Sequence, residues 1–306
     1  MKRYLPFVAY AALCAAFPLL AQEAEIYPAP SEIVAAAKAD EWVAIKSSDL
    51  MIMDLAPDST GKPRRVVIQL MPAPFSQGWV GNIRKLAAAR WWDGTSINRV
   101  QDNYVAQWGD ATEKKALPEG LAMVPESDYV TVLQPASVKE ANWGRRDSYV
   151  DAATIIYKGW PIGLNQDKTA APVHCYAMVG VGRNLSPDTG SGAELYTVIG
   201  HAPRHLDRNI ALVGRVIEGI EHISSLPRGT GALGFYEKEE DRVPILSVRL
   251  GNEVPDAPTF EYLNTDSASF AAYADARANR RDPFFNVPAG GADICNIPVP
   301  IRRQAK

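Results

Sequence analysis

Cysteine and histidine are scarce in this chain. There are three cysteines and four histidines in 306 residues. His201 and His205 stand four apart, but Pro203 lies between them, so they share no regular helix face. His174 and His222 stand elsewhere, and no cysteine or carboxylate accompanies any of the four at ligand spacing, which argues against a zinc site. A positive balance is also missing. Formal net charge is -3, so the chain lacks the electrostatic footprint of a nucleic-acid binder. Only the tip, Arg302, Arg303 and Lys306, is locally basic, and a short basic tail reads as solvated. The GxSxG elbow of serine hydrolases is absent, and Ser191 lies in GSG with no base pattern beside it. Gly180-Val-Gly182 follows an apolar run, but position 185 is leucine, so a dinucleotide fingerprint lacks its third glycine.

No apolar run is both long and unbroken. The longest, Leu5 to Ala21, is interrupted by Pro6 and Pro18. With Lys2 and Arg3 before it and the polar QEAE after it, residues 1–25 have the form of a secretory signal peptide, cleaved near Ala21. A retained membrane anchor is the competing reading, and the run is short for one. Cys14 lies inside the run behind Ala12 and Leu13, a poor lipoprotein site. An exported chain enters an oxidising space, where the remaining two cysteines permit one pairing, Cys175–Cys295. The alternative is a buried thiol at Cys175 inside an apolar strand.

What the chain does have is a succession of short apolar stretches. Residues 26–47 form an arm, with Ser31 as N-cap of a short helix ending near Asp40 and with Trp42 and Val43 as anchors on the domain. LMIMDL (50–55) and RVVIQL (65–70) flank a loop of proline, aspartate, serine and glycine, which is a hairpin signal. Val80, Ile83, Leu86 and Ala87 recur at helix spacing between Ser76 and Arg90. Further strands are expected at Val173 to Gly182, Ala193 to Gly200, Ile210 to Ile217 and Arg242 to Leu250, with a short helix from Glu218 to Leu226. Strands in runs with helices at the ends suggest a barrel or a sandwich over residues 48–253. The segment 111–172, punctuated by prolines, reads as a partly ordered insertion. Its apolar pieces Tyr129 to Leu133 and Thr154 to Tyr157 suit edge strands or a hairpin, and Trp143, Arg145 and Arg146 suit a solvated loop. Residues 254–306 form an extension that packs on the barrel, with Asp266 or Ser267 capping a helix to about Arg280 and an irregular tail beyond.

One stretch stands out: INRVQDNYVAQWGD, Ile97 to Asp110. Arg99 sits between apolar neighbours on an expected strand, and Tyr104 to Gln107 nearly alternates apolar and polar residues. On pattern alone Arg99 fits best as half of an internal salt bridge or as a snorkelling side chain. Its surroundings say more. NIRKLAAARWWDGTSINRV (82–100) resembles the first helix, the YDG-type turn and the FHRV strand of the cyclophilin-type peptidyl-prolyl cis-trans isomerases. NYVAQWGD resembles that family's FMIQGGD block. AMVGVG, GSGAELYTVIG and LDRNIALVGRVIEG resemble, in order, its SMA, GSQFFI and LD-to-FGKV-EG blocks. The resemblance runs from about Leu50 to Gly251, with a longer segment than usual between Asp110 and Val173, and suits a divergent exported bacterial branch.

The resemblance implies a mainly β fold: a closed eight-stranded barrel with two capping helices, the long insertion and a helical C-terminal extension. It implies that Arg99 is catalytic and that no cofactor or metal takes part. Tyr104, Val105, Tyr196 and Leu206 are expected to line a proline pocket, with Gln107 holding Arg99 and substrate backbone. Val179 and Gly180 fall where the residues before the proline bind. The opposite wall departs from the family: His205 stands where many members have tryptophan, Ile210 where the family has histidine, and Glu194 where it has the glutamine of GSQFF. The expected partners are proline-containing segments of unfolded or loop polypeptides, met by a periplasmic monomer. No nucleic acid and no membrane span after cleavage are expected. A non-catalytic peptide-binding chaperone or assembly factor on the same scaffold is the alternative, and a purely structural envelope protein stands behind both.

Overall fold

The computed structural model describes residues 27–133 and 144–304. The expected leader 1–25 with Cys14, and Trp143 and Lys306, lie outside the described residues. Strand β1 spans Trp42–Ile45, β2 Leu50–Leu55, β3 Arg64–Leu70, β4 Ser96–Val100 and β5 Val105–Gly109. Next come β6 (Thr131–Val132), β7 (Gly144–Arg145), β8 (Ala153–Tyr157), β9 (Trp160–Leu164) and β10 (Thr169–Pro172). The rest are β11 (Met178–Val181), β12 (Leu195–Val198), β13 (Leu212–Glu218), β14 (Val243–Leu250), β15 (Phe260–Leu263) and β16 (Ile301–Arg303). The helices are α1 (Pro30–Ala36), α2 (Gln77–Ala88), α3 (Glu221–Ser224) and α4 (Ala268–Ala278).

Eight strands close into an antiparallel barrel in the order β11-β12-β5-β4-β14-β2-β3-β13. The alternation along the first hairpin explains its two-sided burial. Met51, Met53, Leu55, Val66, Ile68 and Leu70 join the main core. Leu50 and Val67 point the other way and are covered by Ile45 and Phe260. That cover is a separate three-stranded sheet, β1-β15-β16, in which the N-terminal arm pairs with the C-terminal extension. Trp42 and Val43 therefore anchor on Leu263 and Tyr262 of the extension. The tail beyond α4 is not irregular throughout, because β16 completes this sheet. Nor is its basic tip simply solvated: Arg302 pairs with Glu261 at 2.6 Å and Arg303 with Glu218 at 2.5 Å.

Helix α2 buries Trp79, Val80, Ile83, Leu86 and Ala87 against the barrel. Its polar side chains hold the glycine-rich loop that leads into β12. Trp79 Nε1 donates to the carbonyls of Thr189 and Gly190, both at 3.1 Å. Asn82 Nδ2 donates to Ser191 O at 3.0 Å. α4 is capped by Ser267, whose hydroxyl accepts the Phe270 N–H, and it buries Phe270, Tyr273 and Ala274.

Several expected elements change. α1 starts at Pro30, with Ala29 rather than Ser31 before it, and stops at Ala36. The expected strand Val173–Gly182 keeps only Met178–Val181, because the chain turns through Ala177 at φ +67°. The helix near Glu218 shortens to α3. The inserted segment is a second sheet of five strands, β6-β10-β9-β8-β7, in which Thr131–Val132 is an edge strand as expected and Thr154 to Tyr157 lies inside, in a hairpin with β9. Arg215 of β13 fastens this sheet to the barrel. Its guanidinium donates to Gln69 Oε1 at 2.9 and 2.8 Å and to Gly159 O at 2.7 Å, and lies 4.2 Å from the Trp160 ring centre. Burial pushes that guanidinium down to about 9, still charged at neutral pH.

Cys175 and Cys295 form a disulfide across 120 residues, joining the chain just before β11 to the extension. A link of that span restricts the unfolded chain and contributes about 2–4 kcal/mol. Cys295→Ser is therefore expected to lower the denaturant midpoint measured by tryptophan fluorescence. Reductant should reproduce the loss in the wild type and add nothing in the variant; equal midpoints for all four samples would contradict it.

Candidate active site

The site begins with a register shift. β4 and β5 pair Ser96 with Gly109 and Ile97 with Trp108, then skip Asn98 and pair Arg99 with Gln107. This is a β-bulge, one extra residue on one strand, which re-aims every side chain after it. Without it Arg99 would face Ala106 and point to the opposite side of the sheet. The row continues across the barrel, with Gln107 opposite Tyr196 and Tyr196 opposite Gly180. Directly paired residues share a face. Arg99, Gln107 and Tyr196 thus meet on one wall of an open groove of about 710 Å³.

Arg99 is half-buried and held by neutral acceptors. Nε donates to the Leu233 carbonyl at 2.7 Å and Nη1 to Gln107 Oε1 at 3.1 Å. Nη2 donates to Gln101 Oε1. The guanidinium also lies over the rings of Phe235 and Tyr104, whose centres are 5.4 and 5.9 Å from Cζ. Burial lowers the pKa of Arg99, yet a guanidinium starts so high that it keeps its proton. Among the described residues no carboxylate pairs with Arg99, so the salt bridge its pattern suggested is not formed. Five N–H groups less three leave two for a ligand.

Beside this charge lies an apolar socket. Val105, Tyr196 and Val198 form a small cluster separate from the main core, with Tyr104 and Ile210 packed on it. Leu206 lines the same groove. Arg99, Tyr104, Val105, Gln107, Tyr196, Leu206 and Ile210 are thus brought together. Val179, Gly180 and His205 are not among the groove's lining residues. Val179 is fully buried in the core. The Tyr196 ring leans over Gly180, so close that a Cβ there would meet Cζ and Oη at 2.3 Å. His205 stands outside the groove, its ring stacked on Tyr104 with centres 6.2 Å apart.

The sequence reading missed Gln101, the Leu233 carbonyl and Phe235. Gln101 had a signal, since it lies two residues beyond Arg99 and strand side chains alternate. Leu233 and Phe235 had none, because they return to Arg99 after 134 and more residues. Arg145 and Arg146 are exposed and lie apart from the groove's lining residues, but Arg145 belongs to strand β7, paired with Thr154, rather than to the expected loop.

The profile of the family described as cyclophilin type peptidyl-prolyl cis-trans isomerase/CLD matches residues 59–250. Among solved structures, the chain is similar to cyclophilin AquaCyp293 from Hirschia baltica, at 22% identity and TM-score 0.65, over 86% of this chain and 93% of that one. A Cryptosporidium parvum cyclophilin type peptidyl-prolyl cis-trans isomerase, solved in the presence of the dipeptide Ala-Pro, aligns at 9% identity and TM-score 0.39, over 65% of this chain and 98% of that one. No curated protein matches the chain. The Hirschia baltica likeness bears on the fold, and the eight-stranded antiparallel barrel agrees with it.

Glu194 adds a titrating group to the groove. One oxygen accepts the Asp110 N–H at 2.8 Å. Burial pushes its carboxyl from the ordinary 4.5 up to about 7, against that bond and one from the Gln107 amide, with help from the charges of Asp110 and Glu113. Gln107 thus bridges Arg99 on its oxygen and Glu194 on its nitrogen. The native state keeps the Glu194 proton to about pH 7, whereas the unfolded chain loses it near 4.5. Stability is therefore present in acid and lost as pH rises through that window, by up to about 3 kcal/mol. Glu194→Gln is expected to remove this loss. Urea denaturation should show the variant gaining on the wild type from pH 5 to pH 8; parallel stability curves would contradict the assignment.

Proposed function

The chain belongs to the cyclophilin-type peptidyl-prolyl cis-trans isomerases, and from that premise we propose that it isomerises prolyl bonds in exported polypeptides, with Arg99 favouring the twisted amide. One observation carries the reading. A charged guanidinium, fixed by three neutral acceptors and with N–H groups to spare, borders an apolar socket in an open groove.

Rotation about an Xaa-Pro bond breaks amide resonance, a barrier of about 18–20 kcal/mol. A planar amide nitrogen accepts almost nothing; a twisted one has its lone pair back. A fixed donor near that nitrogen therefore stabilises the transition state more than the ground state. Tyr104, Val105, Tyr196, Leu206 and Ile210 grip the proline ring, and Gln107 steadies Arg99 while the peptide turns. Because the three acceptors hold the fork before substrate arrives, little reorganisation accompanies the reaction. No nucleophile, proton shuttle or cofactor is needed. The protein acts as a monomer on proline-containing segments of unfolded or loop polypeptides.

Export rests on the basic start and broken apolar run of residues 1–25, and on a disulfide of a kind that persists in oxidising compartments. The expected mature N-terminus is near Gln22, read by mass spectrometry of periplasmic extract. Recovery of only the full-length chain from cytosol would rule export out. For the chemistry, NMR exchange on an Ala-Pro peptide is expected to show Arg99→Ala losing about 10²-fold in kcat/KM, with peptide affinity changed far less. Full activity in that variant would remove Arg99 from the mechanism. Peptide binding without exchange in the wild type would instead indicate a peptide-holding chaperone.

A further inference from the structure

Behind the socket runs a buried polar chain that the reaction itself does not use. The Tyr196 hydroxyl lies 2.8 Å from His174 Nε2. His174 Nδ1 lies 2.8 Å from Asp207 Oδ1, which also accepts the His174 backbone N–H at 2.9 Å. Asp207 Oδ2 accepts from Arg204 Nε at 2.6 Å. Arg204 then forks onto Asp147 of the inserted segment, at 2.8 and 3.0 Å. His174 is wholly buried, and the side chains of Asp207, Arg204 and Asp147 are 5%, 2% and 4% exposed.

The donor directions along this chain are determined. A carboxylate only accepts, so His174 carries its proton on Nδ1. Burial opposes a second proton on the ring and lowers its pKa, which leaves Nε2 as an acceptor. Burial also holds the Tyr196 phenol in its protonated form, so the hydroxyl donates inward, away from the groove. Gly180 makes room for this pose, since any Cβ there would strike the phenol. Tyr196, His174 and Asp207 satisfy one another in turn, Arg204 and Asp147 have further partners in Asp293 and the Tyr149 N–H, and in a low-dielectric interior an orphaned member is costly. A phenylalanine at 196 would need none of these partners. The tyrosine is placed by them.

We propose that His174, oriented by Asp207 and Arg204, is a positioning residue that fixes the Tyr196 wall of the proline socket. The inference rests on the functional reading above and concerns one wall of that same site. The wall grips the proline ring in ground and transition states alike, so its loosening acts on binding rather than on turnover. His174→Asn places its amide where Nδ1 stood, keeping a partner for Asp207 while removing the acceptor for Tyr196. His174→Gln does the reverse.

The test measures peptide affinity by NMR titration, KM and kcat by exchange, and thermal midpoint, in both a wild-type and a Tyr196→Phe background. His174→Asn is expected to raise Kd and KM about five- to tenfold, with kcat within about twofold. His174→Gln should stay closer to wild type. In the Tyr196→Phe background, His174→Asn should shift KM by less than about twofold, because no hydroxyl is left to orphan. A merely structural role would lower the thermal midpoint alike in both backgrounds and leave KM of the folded protein alone. An unchanged KM in His174→Asn, or an equal shift in both backgrounds, would overturn the inference while active wild type left the isomerase reading intact. A wild type that neither binds nor turns over a prolyl peptide would overturn both. Should His174→Asn not fold, His174→Gln with wild-type stability and a tenfold raised KM would count against the inference, and one with wild-type KM would support it.

Discussion

The site depends on one extra residue in a strand. Asn98 has no partner across the β4–β5 pair, and its presence turns Arg99 to the face that carries Gln107 and Tyr196. Removing the bulge would leave the strand intact and send the guanidinium to the other side of the sheet. A charged side chain held open by carbonyl oxygens alone is unusual inside a protein, where charges are paired or neutralised. Here the geometry makes it stable. Three acceptors meet three N–H groups, two aromatic rings lie near the guanidinium, and the side chain lines the open groove.

The barrel alone does not define the socket. α2 holds the glycine-rich loop that delivers Glu194 and Tyr196 to the groove, through Trp79 and Asn82. Arg215 of β13 and Arg204 of the β12–β13 connection each reach the inserted segment, the first through the Gly159 carbonyl and the Trp160 ring, the second through Asp147. The extension is tied in through Cys295, one residue along from His174 at Cys175. The insertion and the extension thus meet behind the socket wall through Asp147 and Cys295, while Glu113, Lys115 and Leu117 at the start of the insertion line the open groove.

Where backbone periodicity and burial agreed, the sequence was legible. The β2–β3 hairpin, α2, α4 with its Ser267 cap, and the strands around Arg99 and Gln107 follow from alternation, helical spacing and capping chemistry. Other parts depend on contacts that leave no local trace. The bulge at Asn98 has no signature in INRVQ. Pro161 and Pro172 read as punctuation, yet both lie in strands, because a proline still offers its carbonyl; that of Pro161 accepts from Val173 N at 3.1 Å. VHCYAMVGVG read as one strand, and the turn at Ala177 splits it. His174 was a lone histidine in the sequence, and only the packing of Asp207 and Tyr196 against it reveals a partner on each nitrogen. The resemblance placed Val179 and Gly180 at the ligand, whereas the Tyr196 phenol occupies the space that Gly180 leaves.

The acceptor of Arg99 Nε belongs to the main chain of residue 233, not to its side chain. The leucine side chain there is largely exposed, but its backbone stands at φ +56°, a conformation that β-branched side chains avoid, so what position 233 must keep for Arg99 is its main-chain shape. The restriction extends to its neighbour. Gly234 sits at φ +81°, and a Cβ on it would come within 2.7 Å of the Gln101 backbone and 2.9 Å of the Val100 carbonyl. In descendants of this sequence the mark of a retained Arg99 fork is therefore a glycine with no chemistry of its own, beside a residue held in the left-handed region.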